Sequence, residues 1–386
     1  MRIAEIQQAL REEGLDGWLF FDHHRRDPLA YRVLQFEPTQ MVTRRWYYLV
    51  PAQGEPRGMV HKIEAEVLAP LPGQKIPYSG WAQQREKLAE LLTGCKTVAM
   101  QYSPLCAVPY VSNVDAGTVE LVRETGVDIR SSANLIQLFE ARWSAEQYEM
   151  HKEAGRRVDG VLRAAFNSAV TVPSTEYSIQ QFIRMAFEHE GMVTDHGPIV
   201  AVNQNASNPH YEPTSASCSL IRAADLILID LWAKLDRPGA VYYDITWTGY
   251  YGANPPDRMQ NVFAIVSGAR DAAVKLVQDA AAQGRELAGY QVDDAARGHI
   301  QAAGYADFFF HRTGHSIGEE VHGNGANMDN LETHDERKII PGTCFSVEPG
   351  IYLPEFGIRS EVNVYRGPDR AEVTGAVQTE LLRLRT

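Results

Sequence analysis

Fifteen residues, HRTGHSIGEEVHGNG from His311 to Gly325, hold three histidines and four glycines. Histidines at such spacing can ligate a metal, and clustered glycines can turn backbone N–H groups toward a phosphate. A phosphate loop would set a lysine or a helix start beside the glycines, and no GxxxxGK[ST] string occurs in the chain. His315 follows Gly314 and precedes Gly318 by three residues, which leaves a metal space to approach. Alone, the segment would read as a His-rich surface turn. Its meaning depends on acids elsewhere.

Side chains alternate across a strand, so parity shows which groups can converge. Asp230 closes the almost wholly apolar run ADLILID, which marks it as buried or cleft-facing. In VYYDITWT, Asp244 shares a face with Tyr242, Thr246 and Thr248; in CFSVEPG, Glu348 shares one with Ser346. In GIRSEVNV, Glu361 lies with Arg359 and Asn363. A single acid at a strand end is ordinarily a loop cap. Converging without cations, the four would repel one another and take up protons. Two divalent cations remove that difficulty: +4 balances the −4 of Asp230, Asp244, Glu348 and Glu361 and leaves room for a hydroxide. One neutral imidazole, from His315, nearly completes a dinuclear shell. In such sites the ions lie about 3.5–4 Å apart and clamp attacking and leaving groups.

The elements that must carry these groups fall in the last two thirds of the chain. SAEQYEMHKEAGRRVDGVLRAAFNSAV opens with Ser144 and Gln147, an S-x-x-Q capping box, and predicts a long helix. Further helices are predicted at EYSIQQFIRMAFEHEG, PDRMQNVFAIVSGARDAAVKLVQDAAAQ and QVDDAARGHIQAAG. Strands are predicted at PIVAVN, LILIDLW, VYYDITWTGYYG, CFSVEPGIYL and GIRSEVNVY. This mixture predicts an α+β domain with antiparallel strands. In the first third, Ile3, Ile6 and Leu10 set a helix that stops at Gly14. Strands DGWLFFD and RRWYYLVP and helix QREKLAELLTG follow, giving an α/β domain with no catalytic constellation. Its polar oddity, FDHHRRDP from Phe21 to Pro28, reads as a solvated loop, or as one reaching a neighbouring active site.

At 386 residues, one large and one smaller domain are expected. Lys plus Arg (37) against Asp plus Glu (49) give a net charge of −12, which disfavours nucleic acid and anionic membranes as partners. Charges in MRIAEIQQALREEG interrupt the apolar run a secretory signal needs, and no stretch approaches the ~20 apolar residues of a membrane span. Four cysteines without CxxC pairing suit a reducing, cytoplasmic setting.

In chain order, PHY (Pro209–Tyr211), Asp230, YYDIT with Asp244, HRTGHSIG with His315, VEPGIY with Glu348 and GIRSE with Glu361 resemble the pita-bread metallopeptidases. The resemblance is to the Xaa-Pro aminopeptidase and prolidase branch, and its motifs span residues 209–363. It implies a creatinase-like N-terminal domain over residues 1–140 and a pita-bread catalytic domain over 141–386. It further implies that Asp230 chelates one metal, that His315 with Glu348 hold the other, and that Asp244 and Glu361 bridge both. A hydroxide between the ions would be the nucleophile. Glu348 would also accept a proton and pass it to the departing nitrogen. His210 and His322 resemble histidines that hold the substrate amide and its oxyanion. Arg359 matches an arginine that supports the metal site or meets a substrate carboxylate, and Tyr352 a tyrosine nearby.

The implied function is hydrolysis of the first bond of Xaa-Pro peptides or dipeptides by a homodimer, with DHHRRD lining the partner's cleft. Oxygen-rich ligation with one imidazole suits Mn²⁺, with Zn²⁺ or Co²⁺ as alternatives. Ser316, Gly323 and Trp247 depart from the family strings GHGIG, HE and DITRT, which implies a distinct pocket. Two other readings share the fold: a hydrolase or lyase of a small non-peptide compound, creatinase-like or ectoine-hydrolase-like, and an inactive peptide-binding module. Both typically lose ligand acids, and this chain keeps all five ligand positions.

Overall fold

The computed structural model describes residues 2–385. The chain divides into two compact units, Met1–Glu140 and Ala141–Thr386.

The first unit is built on a six-stranded mixed sheet. Its order is Gln74–Tyr78, Arg57–His61, Trp46–Pro51, Gly17–Asp22, Thr97–Met100, Asp128–Ser131. All six residues of Gly17–Asp22 and of Trp46–Pro51 are buried, because both faces of the sheet are covered. Trp18, Phe20, Trp46 and Tyr48 enter one core, while Leu19, Phe21, Tyr47 and Leu49 enter the other. The outer strands and helices Pro28–Leu34, Ala116–Arg123 and Ala133–Glu140 escape the sequence reading. They are short, and the edge strand Gln74–Tyr78 holds a proline, which only an edge tolerates.

The DHHRRD segment is not simply solvated. Asp22 and Asp27 are buried, and Asp22 accepts from the backbone of Arg25 (2.9 Å) and Asp27 (3.0 Å) and from the Tyr31 hydroxyl (2.6 Å). Asp27 caps helix Pro28–Leu34. The two acids fasten the loop, and His24, Arg25 and Arg26 are left exposed.

In the second unit the predicted capping box is present: Ser144 Oγ accepts from Gln147 N, and Gln147 Oε1 accepts from Ser144 N. It starts the helix Ala145–Thr171, which packs with Glu176–His189 against strands Leu226–Leu235 and Tyr243–Tyr251. These strands pair antiparallel, with Asp230 opposite Thr246 and Asp244 opposite Trp232. A second core lies beneath helices Asp257–Ala282 and Gly289–Ala302. A four-stranded sheet runs Ser316–Ile317, Thr343–Val347, Val362–Arg366, Ala371–Val373, and Gly350–Tyr352 pairs with Gly357–Arg359.

Two predicted strands are each divided. CFSVEPGIYL breaks at Glu348–Pro349, where proline has no N–H for the ladder. GIRSEVNVY breaks at Ser360–Glu361, where Glu361 N donates instead to Thr246 O of the neighbouring sheet (3.0 Å). Each break carries a candidate ligand, and at Glu361 the chain passes from one sheet to the other. Among the described residues, no helix is long and apolar enough to cross a membrane.

Candidate metal centre

Strand pairing sets Asp230 and Thr246 side by side, with Asp244 one same-face position along from Thr246. The Asp244 peptide is gripped by a single amide: Asn363 Oδ1 accepts from Asp244 N (3.1 Å), and Asn363 Nδ2 donates to Asp244 O (2.5 Å). Thr246 Oγ1 donates to Glu361 Oε2 (2.8 Å) and accepts from Arg359 Nε (3.0 Å). Ser346 Oγ donates to Glu348 Oε1 (3.1 Å) and accepts from His315 N (3.0 Å). Gly314 makes that last contact possible, since a Cβ there would lie 1.9 Å from Ser346 O. Here the glycine serves close packing of the histidine segment against its neighbouring strand.

His315 is buried, and its Nδ1 lies 3.2 Å from Ser316 O, so Nδ1 carries the proton. The unprotonated Nε2 then faces Asp244 Oδ2 at 3.5 Å and Glu348 Oε1 at 3.4 Å. Burial lowers the His315 pKa, and it raises those of Asp244, Glu348 and Glu361; neighbouring acids push Asp244 and Glu361 further. A lone pair facing two carboxylates is a repulsive arrangement that a cation between them reverses. Glu361 Oε1 makes the same point: it is buried and has no hydrogen-bond partner among the described residues. Asp244, His315 and Glu361 present ligand atoms all within 4.8 Å of one another. The donor set therefore fits divalent cations.

The remaining expected residues fall around this triad. Asp230 is buried, and its Oδ2 accepts from Arg359 Nη2 at 2.5 Å. Glu348 joins through His315, with Arg359 Nε 4.0 Å from its other oxygen. Arg359 spends its fork on Asp230, Thr246 and Tyr352, so of its two expected roles the geometry favours support of the ligands. The exposed His322 ring sits 4.3 Å from that of His315. Proximity to the His315 ring holds the His322 imidazole below the usual histidine range. His210 stands close enough for its charge to act on His322. It stands exposed, its backbone N–H donating to Asn208 Oδ1 (3.1 Å).

Sequence reasoning passed over a chain of contacts behind Arg359. His311 Nδ1 donates to Arg312 O (2.6 Å), so its Nε2 accepts from the Tyr352 hydroxyl (2.7 Å). That hydroxyl oxygen accepts from Arg359 Nη1 (2.9 Å). Burial, then Arg359, pushes the His311 pKa down to about 3, which keeps the ring a neutral acceptor. No spacing rule ties His311 to Tyr352. The supporting roles of Thr246, Ser346 and Asn363, by contrast, were signalled by their shared parity with the acids. Of the departures from the family strings, Ser316 Oγ accepts from Gly325 N (3.0 Å). A Cβ at Gly323 would meet that oxygen at 3.1 Å, so the two positions are sterically coupled. Trp247 is partly buried.

Residues 149–366 match metallopeptidase family M24. A Xaa-Pro dipeptidase of Lactobacillus helveticus is 31% identical over 241 residues, covering 61% of this chain and 59% of the relative. One from Lactobacillus delbrueckii subsp. lactis is 32% identical over 213 residues, covering 54% and 53%. The chain thus spans less than two thirds of the length of these relatives. Among solved structures, the dipeptidase PepE of Mycobacterium ulcerans superposes with a TM-score of 0.70 at 23% identity, covering 100% of this chain and 97% of that one. A prolidase of Thermococcus sibiricus gives 0.64 at 23% identity, covering 99% and 98%. These likenesses extend the pita-bread fold and its two-domain layout along the chain, as the sequence implied.

Proposed function

Because this chain belongs to metallopeptidase family M24, we propose that it is a metal-dependent exopeptidase that cleaves the first bond of Xaa-Pro substrates. The observation that carries the reading is the buried, unpartnered Glu361 Oε1 beside Asp244 and the Nε2 of His315. Relatives named Xaa-Pro dipeptidase support the substrate class over the non-peptide and inactive-module readings.

Asp230, Asp244, His315, Glu348 and Glu361 would hold two ions, of which Mn²⁺ suits the oxygen-rich set. When bound, the ions supply Lewis acidity, polarising a carbonyl and acidifying water. The chain supplies positioning and proton transfer. Glu348, its carboxyl raised by burial, takes a proton at Oε1 or Oε2 and returns it to the departing proline nitrogen. His322, held neutral, can donate to the scissile carbonyl oxygen, and His210 at the exposed rim meets the substrate amide. Arg359 fixes Asp230 from behind. Proline lacks an amide N–H, and none of these contacts requires one.

The same proposal assigns residues 1–140 to a creatinase-like domain and 141–386 to catalysis, in a cytoplasmic homodimer. Four free cysteines support a reducing location. Hydrolysis of Ala-Pro and Ala-Pro-Ala, with Ala-Ala as control, tests the reading. Release of alanine from the proline substrates ahead of Ala-Ala supports it, and faster turnover of Ala-Ala contradicts the proline preference.

A further inference from the structure

A carboxylate outside the ligand set stands over the same face of the same sheet. Asp195 lies in the turn between Met192–Val193 and Ile199–Val202, and its Oδ1 accepts from the Trp232 indole N–H at 2.7 Å. Trp232 is the residue paired directly with Asp244, and residues so paired send their side chains to one face. Asp230, two positions back along the strand, shares it. The Asp195 backbone also hydrogen-bonds the Tyr242 phenol, which by parity lies on that face too. Two aromatic side chains, Trp232 from the strand bearing Asp230 and Tyr242 just ahead of the strand bearing Asp244, therefore moor this turn over the face that carries both acids.

The acids on this face differ in what they have left to offer. Asp230 is buried and bound to Arg359, and Asp244 is buried against His315. Asp195 is 41% exposed. Its Oδ1 accepts from Trp232 and from His196 N (3.0 Å), while among the described residues Oδ2 faces the exposed His196 ring at 3.2 Å. A carboxylate oxygen accepts two hydrogen bonds, so Oδ2 can take a cation arriving from solvent.

We propose that Asp195 receives the α-ammonium group of the substrate and is the residue through which this chain selects a free N-terminus. The inference rests on the exopeptidase reading above, and it concerns a group that is not a metal ligand. It would place the first residue of the peptide between Asp195 and the ions, with its carbonyl toward His322.

The test uses Asp195→Asn in the intact, Mn²⁺-loaded protein; asparagine keeps an acceptor oxygen for Trp232 while removing the charge. Two ligands are compared: Ala-Pro, and N-propionyl-proline, which lacks only the ammonium group. KM for Ala-Pro should rise about tenfold, as for loss of a hydrogen bond to a charged group, with kcat nearly unchanged. The inhibition constant of N-propionyl-proline against Ala-Pro hydrolysis should not move, nor should the absorption spectrum of the Co²⁺-substituted protein. Asp195→Glu should restore part of the loss. An unchanged KM, or equal weakening of both ligands, overturns the inference and leaves the exopeptidase reading intact. A wild-type protein that does not hydrolyse Ala-Pro overturns both.

Discussion

The guanidinium of Arg359 lies 2.5 Å from the carboxylate of Asp230, and both groups are buried. The pair holds one of the two candidate acids, Asp230 and Glu348, that lie outside the compact Asp244–His315–Glu361 triad, and it does so with Arg359 also braced by Thr246 and Tyr352. A lysine's single ammonium nitrogen cannot span the three partners that Arg359 meets through Nε, Nη1 and Nη2. Arg359→Lys should therefore lower metal affinity or activity roughly 10- to 100-fold, the usual cost of losing an outer partner of a ligand. Retention of full Mn²⁺ affinity and activity in this variant would contradict the assigned role.

Glu361 is poised between two states. Without a cation, its buried and unpartnered Oε1 opposes folding; with one, it becomes a ligand. Glu361→Gln should stabilise the metal-free chain by about 1 kcal/mol, because an amide has no charge to bury and no repulsion from the neighbouring acids to relieve by taking up a proton. It should also abolish most of the increase in melting temperature on adding Mn²⁺. Melting curves with and without metal check both, and a variant that still gains the full metal-induced increase would remove Glu361 from the ligand set.

Gly314 lets the His315 segment press against the strand bearing Ser346. Gly314→Ala puts a methyl group 1.9 Å from Ser346 O, and backbone on both sides must shift. The expected cost is on the order of 1–3 kcal/mol of stability, with weakened metal binding because His315 moves. Urea unfolding and metal titration measure the two effects, and an unperturbed variant would show that this contact is looser in solution.

His151 makes stability depend on pH. It is fully buried, its Nδ1 donates to Tyr242 O (2.7 Å), and its Nε2 accepts from the Thr374 hydroxyl (2.7 Å). Burial pushes its pKa down to about 4. An unfolded histidine titrates near 6.5, so between these values the unfolded chain binds the extra proton. The stability is complete above about pH 6.5 and falls by about 3 kcal/mol as pH drops toward 4. His151→Gln in the metal-free protein should flatten that fall. Equal slopes for wild type and variant in urea unfolding at pH 7 and pH 4.5 would contradict it.

Much of the second unit is legible in the sequence because its signals are long and regular. The Ser144–Gln147 capping box and the apolar run into Asp230 each lead to an element at the expected place. Parity also places Thr246, Ser346 and Asn363 beside the acids they support. What escapes is set by tertiary contact. Strand breaks at Glu348 and Glu361 arise where the chain changes sheet, and the His311–Tyr352–Arg359 chain joins residues from separate segments. In the first unit, Asp22 and Asp27 look solvated in DHHRRD, and only folding reveals that they point inward.

If Asp230, Asp244, Glu348, Glu361 and His315 hold the ions that the proposed hydrolysis needs, activity must follow metal content. This is tested most directly by stripping the protein with a chelator and titrating Mn²⁺ back while following proline release from Ala-Pro. The stripped chain should release no proline, and activity should rise with added metal and saturate near two ions per chain. Undiminished release from the stripped protein, or none at any metal content, would contradict it.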